Sequence, residues 1–198
     1  MNPRIVLAVP FLVLAACTKS APTPPAETTS ASAPAAPVAV ASAAAPAASS
    51  SLTAEDPLVG TVAPDFTATA QDGSSVHIAA LKGKPVVVYF YPKDETAGCT
   101  KEACSFRDSW DALAKTGAVL VGVSADTLDS HRQFVAHYKL PFLLVSDPNG
   151  DIAKLYGVPF ASVHHRQTVV IGADGRVKKV HRKVDVAVHA QEVLAELG

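Results

Sequence analysis

The apolar positions of this chain change their period along its length, and each change marks an element. Val86 to Tyr91 is an unbroken apolar, β-rich run, the pattern of a strand buried on both faces. Ala103, Phe106, Trp110, Leu113 and Ala114 then recur at helical spacing, which predicts a helix from about Gly98 to Lys115 ended by Gly117. A strand follows at Ala118–Ser124, a helix at about Ser130–Tyr138 and a strand at Phe142–Ser146. Asp147-Pro148-Asn149-Gly150-Asp151 reads as a turn feeding a short helix at about Asp151–Tyr156. Strands at Gln167–Ile171 and Arg176–Val180 flank Asp174-Gly175, a two-residue hairpin signal, and a helix at about Ala187–Leu197 closes the chain. Ahead of the long apolar run, Gln71-Asp72-Gly73 marks a turn between short strands near Phe66–Ala70 and Ser75–Ile78.

Composition separates this patterned region from what precedes it. Of the 34 residues Thr18–Ser51, 30 are Ala, Pro, Ser or Thr, too little apolar bulk to offset chain entropy. We therefore expect a disordered linker over residues 17–51 and one folded domain over 52–198. Met1–Ala16 carries a single positive charge, Arg4, and an apolar run from Ile5 that is too short to span a bilayer, as in a signal peptide over residues 1–16. It ends in Leu14-Ala15-Ala16-Cys17, which resembles a bacterial lipobox, a motif whose cysteine becomes the lipid-bearing mature N-terminus. That resemblance implies lipidation at Cys17 and a membrane tether on the periplasmic side. Thr18, in place of the aspartate of the best-known retention rule, points to the outer membrane. An ordinary signal peptide with an incidental Cys17 is the competing reading. With 17 basic and 18 acidic residues, the net charge of −1 gives no electrostatic reason to expect nucleic acid as a partner.

If Cys17 carries lipid, redox chemistry falls to Cys99 and Cys104. Cys99 follows the apolar strand and the loop from Pro92, at the mouth of a helix. Unpaired N–H groups and the positive dipole end there favour a thiolate, so Cys99 is a candidate nucleophile. Pro92, Thr96 and Cys99 resemble the peroxiredoxin active site, Pro-x-x-x-Thr/Ser-x-x-Cys. Cys104 five residues on, Lys93-Asp94-Glu95 before, and Phe106-Arg107-Asp108 after resemble the bacterioferritin comigratory protein, or peroxiredoxin Q, branch. The resemblance runs from about Gly60 to the C-terminus.

It implies an α/β thioredoxin fold, a mixed sheet flanked by helices, which is the element order already read from the pattern. It also implies a thiol-dependent peroxidase of the atypical two-cysteine kind, reducing hydrogen peroxide or organic hydroperoxides. Cys99 would become a sulfenic acid and Cys104 would resolve it as a disulfide. Pro92 would shield the thiolate, and Arg166, opening the strand Arg166-Gln167-Thr168, would point at its sulfur. Gln167 stands where relatives usually carry a small residue. Thr96 would hydrogen-bond the thiolate and the peroxide, or simply cap the helix. The resemblance further implies a thioredoxin-like reductant, a monomer, and no cofactor or metal.

Helical residues five apart have Cα atoms roughly 8.5 Å apart, whereas a disulfide needs less than about 7 Å. The first turns of the helix are therefore expected to unwind in each cycle. Two other readings use the same residues. Thiols early in a thioredoxin-fold helix with His164 and His165 later resemble periplasmic copper-binding assembly proteins, which carry three residues between their cysteines; here Thr100 to Ala103 are four. Solvated loop histidines are the simpler account of that pair. A thiol-disulfide exchange protein usually uses Cys-x-x-Cys. His77, His131, His137, His181 and His189 show no usable spacing and are assigned as structural or surface residues.

Overall fold

The apolar strand read from the pattern is the axis of the structure. The computed structural model describes residues 55–198, so the signal peptide, the Cys17 anchor and the linker expected over residues 1–51 lie outside the described residues. The elements are β1 (Thr67–Thr69), β2 (Ser75–His77), a 3₁₀ turn (Ile78–Leu81), β3 (Val86–Phe90), α1 (Ala97–Asp108), α2 (Trp110–Lys115), β4 (Val119–Ser124), α3 (Leu128–Tyr138), β5 (Leu143–Ser146), α4 (Asp151–Leu155), β6 (Gln167–Ile171), β7 (Val177–His181) and α5 (His189–Leu197). β1 and β2 form a separate hairpin, and the other five strands form one sheet in the order β5-β4-β3-β6-β7. β3 runs parallel to β4, and β4 to β5, whereas β6 and β7 join antiparallel.

β3 is fully buried because both its faces are covered. Val86, Val88 and Phe90 pack with Phe66, Val76, Tyr156 and Val169 on one side of the sheet. Val87 and Tyr89 pack with Phe106, Leu113, Phe134 and Val193 on the other. The period-two alternation of a strand thus feeds two cores at once. Gly122 on β4 makes room for this arrangement, since a Cβ there would lie 2.7 Å from the Tyr89 hydroxyl.

Two local expectations change. The single helix expected from Gly98 to Lys115 is broken at Ser109, whose backbone leaves the α region (φ −95°, ψ 5°). The break re-phases the stripe: Ala103, Phe106 and Leu113 remain buried, but Ala114 turns to solvent. The β6–β7 connection is also longer than a two-residue turn. Gly175 N–H donates to Gly172 O at 2.9 Å, closing a turn around Ala173 and Asp174, and Gly175 itself sits at φ +80°. That is a turn followed by a left-handed bulge residue, a conformation glycine adopts without steric cost.

Candidate active site

The antiparallel register pairs Phe90 with Gln167, so the chain leaves β3 beside the point where Arg166 enters β6. The loop after β3 crosses that end of the sheet and opens α1, with Thr96 at the N-cap. Cys99 therefore lies in the first turn of α1, only 2% exposed and facing the core. Arg166 closes the site from the strand side: its Nη2 donates to Cys99 Sγ at 3.1 Å.

The other arm of the guanidinium ion-pairs with Glu102, one turn further along α1 and 1% exposed. Burial pushes the Glu102 carboxyl up to about 7 against the pull of Arg166. Burial likewise opposes charge on Arg166, but Glu102 and Cys99 outweigh it and hold the guanidinium cationic. Glu102 is a site residue that the sequence reading did not single out. The available signal was an acidic side chain falling on the buried stripe of α1 beside Ala103 and Phe106.

The loop is held by a second cluster the sequence did not reveal. Asp94 is buried and accepts hydrogen bonds from the Tyr91 hydroxyl at 2.7 Å and the Ser130 hydroxyl at 2.7 Å, and pairs with His131 Nδ1 at 2.8 Å. Its own N–H donates to Asp126 Oδ2 at 2.8 Å. Burial raises the Asp94 carboxyl, but these partners together hold it below the usual carboxylate range. His131 is therefore structural, as expected, with a specific task. Glu95, the next residue, is held at φ +59°, a left-handed conformation that L side chains rarely adopt.

Pro92 is half-buried at the start of the loop, and Thr96 is exposed. The Thr96 hydroxyl does not cap α1: it donates backwards to Lys93 O at 3.0 Å, tightening the turn. Its lone pairs remain able to accept from an incoming ligand. Cys104 lies further along the same helix, part-buried, and no disulfide joins it to Cys99. Pro92, Thr96, Cys99 and Arg166 are thus brought to one end of the sheet, while Cys104 is separated from Cys99 by intact helix.

Neither histidine of the copper reading joins this site. His164 is fully buried, with its Nε2 2.9 Å from Asp147 Oδ2, so it is not a solvated loop residue. Asp147 also accepts from the N–H groups of Ile152 and Ala153 at the start of α4, which fixes the position of its carboxylate. His165 is exposed. Among the described residues, no cluster with metal-ligand spacing contains a cysteine. The unusual Gln167 has its own partner, accepting from Arg182 Nη1 at 2.6 Å.

Residues 59–180 match the model of the AhpC/TSA family. The chain is 48% identical over 125 residues to the chloroplastic peroxiredoxin Q of Oryza sativa subsp. japonica, a match covering 62% of this chain and 58% of the plant protein. The chain thus spans little more than half the length of that relative. A peroxiredoxin bcp of Coxiella burnetii is 42% identical over 147 residues, covering 70% of this chain and 97% of its own. Among solved structures, the peroxidoxin BcpB of Mycobacterium tuberculosis superposes with a TM-score of 0.66 at 34% identity, covering 70% of this chain and 95% of that one. The bacterioferritin comigratory protein of Xanthomonas campestris, described for its alkyl peroxide reduction activity, superposes at 0.65 and 33%, covering 70% and 94%.

Proposed function

The chain belongs to the AhpC/TSA family, in its peroxiredoxin Q and bacterioferritin comigratory branch, and on that premise we propose that it is a thiol-dependent peroxidase. The observation that carries the reading is Arg166 Nη2 lying 3.1 Å from Cys99 Sγ at the mouth of α1. A guanidinium there stabilises a sulfur anion and still has donors for a peroxide oxygen.

In the proposed cycle the Cys99 thiolate attacks the outer oxygen of a hydroperoxide. An S–O bond forms, the O–O bond breaks, and the departing oxygen takes a proton to leave as water or an alcohol. Sulfur is oxidised by two electrons to a sulfenic acid. Thr96 accepts from the peroxide proton while Arg166 donates to the oxygens, and Pro92 screens the sulfur from bulk water. Cys104 sulfur then attacks Cys99 sulfur, forming the disulfide and releasing the sulfenic oxygen as water. A thioredoxin-like dithiol returns two electrons and two protons. Because both cysteines lie in intact α1, that helix opens between them during the second step.

The test mixes the reduced full chain with stoichiometric hydrogen peroxide, follows Trp110 fluorescence, and maps the product by mass spectrometry. One equivalent consumed with a Cys99–Cys104 disulfide is expected, and Cys99→Ser should consume none; undiminished consumption by that variant overturns the reading. Cys104→Ser should turn over once and then overoxidise. We also propose that Cys17 carries a lipid on the periplasmic side of the outer membrane, on the strength of Leu14-Ala15-Ala16-Cys17. Cys17→Ala should move the protein from the membrane fraction to the soluble fraction.

A further inference from the structure

We propose that His181, His189 and Glu192 form a binding site for a divalent transition-metal ion, with Zn²⁺ as the best-matched ion. The sequence shows no usable spacing for these histidines, which are assigned from it as structural or surface residues. The fold brings them together. His181 ends β7, and Thr168 is its cross-strand partner on β6. α5 begins at His189, which meets Thr168 on that part of the sheet, and carries Glu192 three residues on. One ligand atom from each of His181, His189 and Glu192 lies within 4.8 Å of the others.

Three observations point to an ion. First, His181 Nε2 is buried and has no hydrogen-bond partner. His131 Nε2 and His164 Nδ1 share that state, but each of those rings is held by a buried carboxylate through its other nitrogen, whereas no carboxylate hydrogen bond holds the His181 ring. Second, His189 is oriented from behind: its Nε2 lies 2.8 Å from the Thr168 hydroxyl, and its Nδ1 faces Glu192. With Nε2–H donating to Thr168, the Nδ1 lone pair faces the cluster, the arrangement that fixes tautomer and ring in metal-ligating histidines. Third, His189 Nδ1 and Glu192 Oε2 stand 3.5 Å apart. That is long for a hydrogen bond, and close to the roughly 3.3 Å between two ligand atoms of one tetrahedral zinc with bonds of about 2.0–2.1 Å.

The rings of His181 and His189 meet edge to face at 5.2 Å, so rotation of His181 completes three ligand positions. Glu192 is 46% exposed, which gives the ion a route in and leaves a fourth position open to solvent. Burial opposes positive charge at both histidines, as do Lys179 near His181 and Arg166 near His189, while Glu192 favours it at both and Glu196 at His181. Two imidazoles and one carboxylate suit zinc, and sulfur takes no part. The site is therefore distinct from the copper reading, which required the cysteines.

The test titrates the reduced full chain with Zn²⁺ by calorimetry and with Co²⁺ by visible absorption. One equivalent of each should bind, and the cobalt complex should show visible bands without a thiolate-to-cobalt charge-transfer band. His181→Ala should abolish this binding. Glu192→Gln, a half-exposed helical position that leaves the core intact, should weaken it at least about ten-fold. Absence of stoichiometric binding, a thiolate charge-transfer band, or wild-type affinity in Glu192→Gln each overturns the proposal. Peroxide consumption is measured separately and does not enter the outcome.

Discussion

Arg166 serves two partners, Cys99 through one nitrogen and Glu102 through the other. The division assigns different costs to different substitutions. Arg166→Lys keeps the charge but not the planar fork, so it cannot hold both partners at once. Its rate constant with hydrogen peroxide should fall by about 10²–10³, the usual effect of losing one preorganised donor to a developing charge. Glu102→Gln keeps the shape and one acceptor, and frees the guanidinium to swing. A loss of roughly ten-fold is expected, with peroxide KM rising more than kcat falls, because positioning suffers and chemistry does not. Stopped-flow peroxide reduction checks both, and an unchanged rate in Arg166→Lys would show that the 3.1 Å contact is incidental. Pro92, Thr96 and Cys99 could be singled out from the spacing of a family motif, and Arg166 from its place before Gln167 and Thr168. Glu102 and Asp94 could not: a buried carboxylate looks like any surface acid until its partners, distant in sequence, are folded against it.

At the scale of elements, the loop between β3 and α1 depends on Asp94, whose acceptors hold the Tyr91 and Ser130 hydroxyls and His131. Its folded carboxyl lies below its unfolded range, so the stability it contributes is present above the unfolded value near 3.8 and is lost as pH falls through the folded one. Asp94→Asn should cost on the order of 3 kcal/mol at neutral pH, and should flatten the acid limb of a stability–pH profile measured by urea unfolding. A second prediction concerns α1. Amides from Lys101 to Phe106 should lose hydrogen-exchange protection on oxidation while β3 keeps its own, and equal protection in both redox states would refute unwinding. The strands of the main sheet and the helices α3 to α5 were visible as changes of period, because burial on one or two faces dictates the pattern, and β1 and β2 were visible from the turn residues between them. What escaped was the break at Ser109 and the longer β6–β7 turn, both decided by a single residue's backbone conformation, which periodicity does not register.

Across the whole molecule, oxidation sets two opposing terms against each other. A disulfide closing so short a loop restricts the unfolded chain by only about 2 kcal/mol. Reaching it requires opening the turn that contains Glu102 and Ala103, and that turn positions Phe106. The Phe106 ring packs against Tyr89 at 5.2 Å and His189 at 5.6 Å, and lies wholly in the core. Losing a buried phenylalanine costs about 3–5 kcal/mol when complete. Separating Glu102 from Arg166 leaves two charges to be resolvated, which offsets part of their lost attraction. The balance falls against the oxidised state by about 1–3 kcal/mol, so the disulfide form should melt roughly 2–12 °C below the dithiol form. Scanning calorimetry of the full chain, before and after one equivalent of hydrogen peroxide, measures this directly, with Cys104→Ser as the control in which no disulfide forms. A higher melting temperature on oxidation would mean that α1 rearranges without giving up its core face. A lower one would mean that folding favours the dithiol over the disulfide, so that reduction by a dithiol partner is assisted by the refolding of α1 onto the sheet.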